Sequence, residues 1–106
     1  MTDFVHLHLH TEYSLLDGAA KVDDLVDYLV KNNIDACAIT DHGNMYASLY
    51  FAEECVKKGI KYIIGCELYA VDNHLEKKPG KNEHIVLLAK NKTGYKNIVK
   101  LDSLSY

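Results

Sequence analysis

The sequence predicts an α/β domain in which parallel βαβ units are followed by an antiparallel hairpin. Two observations predict it. Short apolar runs bounded by turn residues alternate with longer segments whose apolar residues recur at helical spacing, in the order strand, helix, strand, helix, strand, strand, helix. Such alternation is the mark of parallel βαβ units. Metal-ligand residue types also sit at the ends of the apolar runs, and in folds of this class the chemistry gathers where strands end and loops begin.

The first run, Phe4–His10, reads as a strand in which His6, His8 and His10 alternate with aliphatic residues. Alternation in a strand places the three imidazoles on one face. Clustered imidazoles pack poorly in a core, because each ring has two nitrogens to satisfy, whereas neutral imidazole is a good metal ligand. Residues 14–21 read as a loop and helix lead-in, with Gly18 free to adopt an unusual backbone angle. Val22, Leu25, Val26, Leu29 and Val30 then give one apolar stripe at helical spacing. Asp23 and Asp24 suit the positive end of that helix, and Lys31, Asn32 and Asn33 mark its stop.

Ile34–Thr40 is a short, bounded apolar run and reads as a buried strand. Asp41, His42, Gly43 and Asn44 follow, with Asn44 as N-cap of a helix over Met45–Lys58 and Gly59 as its C′ residue. Ile60–Val71 holds the next strand. Residues 72–83 form a polar loop, His84–Ala89 another strand, and Thr93 caps a last helix through Leu104 whose apolar positions are Tyr95, Ile98, Val99 and Leu101.

Composition narrows the function. The chain has 106 residues and a net charge of −3, from 12 basic and 15 acidic residues, which argues against broad electrostatic binding to a nucleic acid backbone. No apolar run approaches the roughly 20 residues of a membrane span, and no signal peptide is visible at the start. Cys37, Cys55 and Cys66 are odd in number and form no CxxC pair, so they read as buried small hydrophobes in a reducing cytoplasm.

His8 and His10 end the first strand, Asp17 follows in the loop, Asp41 and His42 end the second strand, and Glu67 lies near the end of the third. Parallel strands bring all of these to one rim, which points to a metal site. His84 starts its run instead of ending it. A parallel strand would put it on the wrong rim, but an antiparallel hairpin returns it beside Glu67. His6 sits a pleat deeper, as a packing or supporting residue. His74 and the loop lysines Lys77, Lys78 and Lys81 read as solvated.

His8-Leu9-His10-Thr11, Asp41-His42-Gly43 and Gly65-Cys66-Glu67 resemble the first motifs of the polymerase and histidinol phosphatase (PHP) superfamily. FVHLHLHTEYSLLDGAAK, AITDHGNMYASLYF, GIKYIIGCELYAV and HIVLLAKNKTGYKNIVKL are similar, more narrowly, to the amino-terminal PHP domain of bacterial replicative DNA polymerase III alpha subunits. The resemblance implies a distorted (β/α)7 barrel, of which residues 1–106 are the amino-terminal part, and a centre of up to three divalent ions, Zn, Mn or Fe. It implies that His8, His10 and Glu67 hold one ion, that Glu67 bridges to a second shared with His84, and that Asp17 and His42 hold a third, with Asp41 steadying a ligand.

The implied function is metal-dependent phosphoester hydrolysis, as 3′–5′ exonuclease proofreading, within a DNA-directed DNA polymerase in the cytoplasm. Its implied partners are DNA and other replicase subunits, such as the sliding clamp and a proofreading exonuclease. Two alternatives are a non-catalytic PHP module that braces the polymerase or docks a separate exonuclease, and a free-standing phosphoesterase such as histidinol phosphatase. The chain stops short of a full barrel, so on its own it is expected to be inactive and to self-associate through open sheet edges.

Overall fold

A computed structural model describes residues 4–14, 18, 20–70 and 83–104 of the chain. Its elements are α1 (Val22–Lys31), β1 (Ala36–His42), α2 (Ser48–Lys58), β2 (Lys61–Ala70), β3 (Glu83–Leu88) and α3 (Lys92–Leu104). The three strands form one sheet in the order β1-β2-β3. β1 and β2 are parallel and joined through α2, and β2 and β3 are antiparallel, as the βαβ-plus-hairpin reading requires.

Helix α1 forms because its apolar residues fall on one stripe: Val22, Leu25, Val26 and Leu29 are buried, while Val30 turns outward at 46% exposure. Burial of a Val or Leu side chain contributes about 1.5–3 kcal/mol, so this stripe is the helix's main anchor. It packs against α2, whose Phe51 and Cys55 are fully buried, and against Cys37, Ile39 and Ile64 from one face of the sheet. Strand alternation then gives the opposite face to Thr40 and His42 of β1 and to Gly65 and Glu67 of β2. Apolar packing on one side thus presents polar residues on the other.

Several boundaries differ from the sequence reading. β1 runs two residues past Thr40, so Asp41 and His42 lie within the strand and pair with Cys66 and Glu67. α2 begins at Ser48 without a side-chain cap. Asn44 instead makes a short turn, accepting from the Tyr46 N–H at 3.3 Å, and donates to the carbonyls of Tyr13 (2.9 Å) and His42 (3.0 Å). A side chain that ties two loops together is not available to cap a helix. Gly59 closes α2 in the left-handed conformation, as expected. At α3 the capping side chain is Asn91, which accepts from the Gly94 N–H at 2.9 Å, and not Thr93. Of that helix's expected apolar positions only Ile98 is buried.

The largest correction concerns residues 4–10. They lie beside β1 but make a single ladder bridge, His6 to Cys37, and not a regular strand. The Ala38 N–H donates to the His6 carbonyl at 2.8 Å and the Thr40 N–H to the Leu9 carbonyl at 2.7 Å. Three residues of the first segment therefore span what two residues of β1 cover, in the manner of a bulge. The Leu9 N–H turns to the Thr40 hydroxyl at 2.9 Å. Because the extra residue breaks the alternation, Leu7 is 48% exposed while Leu9 packs against the core.

Gly65 sets how closely β3 approaches. A Cβ there would lie 2.4 Å from the Leu87 carbonyl oxygen, 2.8 Å from Leu88 Cδ2 and 3.0 Å from Thr40 Cγ2. Two of these are side-chain carbons, but the backbone oxygen moves only if the β2–β3 register opens. Gly65→Ala is therefore expected to destabilise the chain by roughly 1–3 kcal/mol, the usual cost of overpacking, read as a lower urea midpoint. An unchanged midpoint would mean that β3 has room to move away.

Candidate metal centre

Glu67 is the hub of the polar face. It is 3% exposed, and four imidazoles from three parts of the chain converge on it. His8 Nε2 lies 3.0 Å from Oε2 and His10 Nε2 contacts the same oxygen. His42 Nδ1 is 3.6 Å from Oε2, and His84 Nδ1 is 2.6 Å from Oε1. One carboxylate oxygen thus serves His8, His10 and His42, and the other faces His84.

Each contact follows from backbone geometry. His42 stands directly across the parallel ladder from Glu67. His84 pairs with Tyr69, two residues beyond Glu67 and on the same face, and its ring meets Tyr69 edge-on at 4.8 Å. His8 and His10 arrive on the bulged segment. The rings form a chain, with centroids 5.2 Å apart for His8 and His10, 4.0 Å for His10 and His42, and 5.9 Å for His42 and His84. His6 does not join them; its ring lies edge-on to Phe4 at 4.7 Å. Asp17, and the loop residues His74, Lys77, Lys78 and Lys81, lie outside the described residues.

Asp41 is buried at 2% exposure and points away from the imidazoles, into the loop that follows His10. Its Oδ1 accepts from the Thr11 N–H (2.6 Å) and the Ser14 hydroxyl (2.7 Å), and its Oδ2 accepts from the Thr11 hydroxyl (2.8 Å). The Ser14 Oγ in turn accepts from the His42 N–H at 2.9 Å. Thr11 and Ser14 were not singled out as supporting residues from the sequence. The available signal was two hydroxyl residues just after a histidine run, in a chain that also carries an aspartate next to a histidine. Gly18 fits against this loop because it has no Cβ; one would lie 1.8 Å from the Thr11 carbonyl oxygen.

Burial alone would raise the Glu67 pKa, but hydrogen bonds from His8 and His10 and the charges of His42 and His10 outweigh it and hold the carboxyl below its ordinary 4.5. The cysteines behave otherwise. Burial, then the neighbouring Cys55, pushes the Cys37 thiol up to about 12, and burial raises Cys55 and Cys66 to about 11. These are packing residues, not nucleophiles.

The donor set fits a divalent ion. The ligand atoms of His8, His10 and Glu67 all lie within 4.8 Å of one another. Imidazole nitrogen with carboxylate oxygen is a set that Zn, Mn and Fe accept. A buried carboxylate that faces four imidazoles is costly as a mere packing device, and it is what a cation would draw together.

Fold and site together define an α/β domain built around a histidine–carboxylate centre. The chain belongs to the PHP domain family, whose model matches residues 6–106. It is 49% identical over 97% of its length to the DNA polymerase III subunit alpha of Borreliella burgdorferi, and 46% identical over 97% to that of Treponema pallidum. It spans 9% of the length of each of these relatives. Among solved structures, an amidohydrolase from Chromobacterium violaceum shares the fold with a TM-score of 0.65, at 21% identity, over 91% of this chain and 32% of the other. A Bifidobacterium adolescentis protein proposed to be a metal-dependent phosphoesterase also gives 0.65, at 20% identity, over 93% of this chain and 33% of the other. No helix among the described residues is long and apolar enough to cross a membrane.

The lowered Glu67 pKa makes a prediction for the metal-free chain. A carboxyl whose pKa is lower folded than unfolded stabilises the fold above its unfolded pKa, and that stability is lost as pH falls through the folded value. Glu67→Gln should therefore flatten the acid limb of the stability profile, below about pH 4.5. Parallel acid limbs in wild type and variant would contradict a Glu67 carboxylate stabilised by its surroundings.

Proposed function

We propose that this chain is part of the PHP domain of a bacterial DNA polymerase III alpha subunit and that its histidine–carboxylate centre hydrolyses phosphodiesters. The reaction we assign is removal of 3′-terminal nucleotides during proofreading. The observation that carries this reading is Glu67, a buried carboxylate whose two oxygens face separate sets of imidazoles. The 46–49% identity to polymerase alpha subunits supports the replicative setting. In that setting the full-length protein is a cytoplasmic DNA-directed DNA polymerase acting on DNA, with the sliding clamp and a proofreading exonuclease among its partner subunits.

His8, His10 and Glu67 would hold one divalent ion, Zn, Mn or Fe. Glu67 would reach a second through its other oxygen, together with His84, and His42 and Asp17 would hold a third. Such ions supply Lewis acidity, which lowers the pKa of water and stabilises negative charge developing on a phosphate. The chain's own residues position and admit. Glu67 is shielded, but the side chains of His8 and His84 are 58% and 54% exposed, so a nucleotide can approach from their side. No covalent intermediate on the chain is required, and the three buried thiols are unsuited to form one. Exposed apolar residues on β3 and α3, among them Ile85, Leu101 and Leu104, support the further reading that these 106 residues self-associate when isolated.

The test is the double substitution His8→Ala/His10→Ala in the full-length protein. Loss of bound metal and of 3′–5′ exonuclease activity, by about a hundredfold or more, is expected, with primer extension largely retained. A double variant that keeps its metal content and its nuclease rate would refute the assignment.

A further inference from the structure

Asp41, Thr11 and Ser14 form a closed hydrogen-bonded unit beside the imidazoles. All three are buried, with exposures of 2%, 0% and 2%. Three donors fill the Asp41 carboxylate, two from Thr11 and one from Ser14. Ser14 also accepts from the His42 backbone. The unit joins two chain segments about 30 residues apart, and its members are neighbours of the ligands in sequence. Thr11 follows His10, and Asp41 precedes His42.

A hydrogen bond to an ionised carboxylate is short and strong, and a buried one is costly to leave unmade. The separation of the Thr11 and Asp41 backbones is therefore fixed, and with it that of the residue before Thr11 and the residue after Asp41. His10 and His42 are the residues so placed, with ring centroids 4.0 Å apart. His8, by contrast, is 58% exposed and two residues farther from the unit.

We propose that Thr11, Ser14 and Asp41 are positioning residues: a buried clamp that holds His10 and His42 at one spacing and so sets the metal affinity and coordination geometry of the centre. This deepens the metal-centre reading and rests on it. None of the three touches the metal or the substrate. They act by keeping two imidazoles from drifting apart when three must meet at one oxygen of Glu67.

The experiment is a cobalt titration of metal-free full-length protein, followed by visible absorption and by chelator competition. The His8→Ala/His10→Ala protein serves as the blank that identifies bands from this centre. Thr11→Val keeps the side-chain shape and removes the hydroxyl that donates to Asp41 and accepts from the Tyr13 N–H; Thr11→Ser restores it. Ser14→Ala removes the link to His42 and leaves the Thr11–Asp41 bonds in place. Thr11→Val and Ser14→Ala are expected to weaken cobalt binding about 10–100-fold, the usual effect of losing a residue that supports a ligand, and to shift the absorption bands. Thr11→Ser should return both to the wild-type values. If Thr11→Val does not fold, the milder Ser14→Ala carries the test alone. A purely structural role would lower the thermal stability of the metal-free variants and leave the bands and affinity of the folded protein unchanged, and that result overturns the proposal. Absence of cobalt bands in wild type would overturn the metal-centre reading, and this inference with it.

Discussion

A charge buried in the middle of a sheet constrains everything around it. An unpaired carboxylate in a protein interior costs several kcal/mol, and Glu67 is 3% exposed. Its partners cannot come from its own strand, whose neighbouring residues point to the other face. They come from β1, from β3 and from the segment before α1, so all three must sit in one register with β2. The parallel pairing that sets His42 opposite Glu67 and the antiparallel pairing that sets His84 opposite Tyr69 both meet that demand. Gly65, two residues earlier on the same face, lets β3 approach closely enough for it.

The work of folding and the work of the site fall on opposite faces of the sheet. Packing of α1 and α2 on Cys37, Ile39 and Ile64 is apolar and needs no polar partner. The opposite face sets Thr40, His42, Glu67 and His84 beside Ile63, Val86 and Leu88, and its polar residues are ordered by hydrogen bonds. Asp41 lies on the face of Cys37 and Ile39 and still serves the site, because it ties down the segment that carries His8 and His10. The bulged segment 4–14 makes few ladder bonds, so its position depends on the side chains that tie it down, Thr40 at one end and Asp41 at the other.

What the sequence revealed depends on whether the signal was local. The stripe of α1 and the left-handed Gly59 were legible because periodicity and glycine chemistry act within a few residues. The hairpin was legible from one residue: His84 made sense at the start of its run only if the strand returned antiparallel. The bulge was not legible, because alternation in residues 4–10 is as regular as in any strand and the extra residue shows only against β1. For the same reason Asn44 read as a helix cap, when its amide is committed to the Tyr13 and His42 carbonyls. Among the candidate ligands, His8, His10, His42, Glu67 and His84 come together, and Asp17 lies outside the described residues. The clamp of Thr11, Ser14 and Asp41 was half visible. Asp41 reads from its position as one of the rim residues, with a supporting role implied only by the family resemblance, and its partners are 27 and 30 residues away with no spacing rule to connect them.

We propose that Glu67 and the imidazoles around it are a metal centre and not a hydrogen-bonded cluster. Anomalous diffraction from crystals of the full-length protein grown with zinc or manganese tests it most directly. An anomalous peak is expected within about 2.0–2.2 Å of His8 Nε2, His10 Nε2 and a Glu67 carboxylate oxygen, the bond lengths such ligands make to zinc. Well-ordered density in which these imidazoles bond directly to Glu67, with no anomalous peak between them, would contradict it.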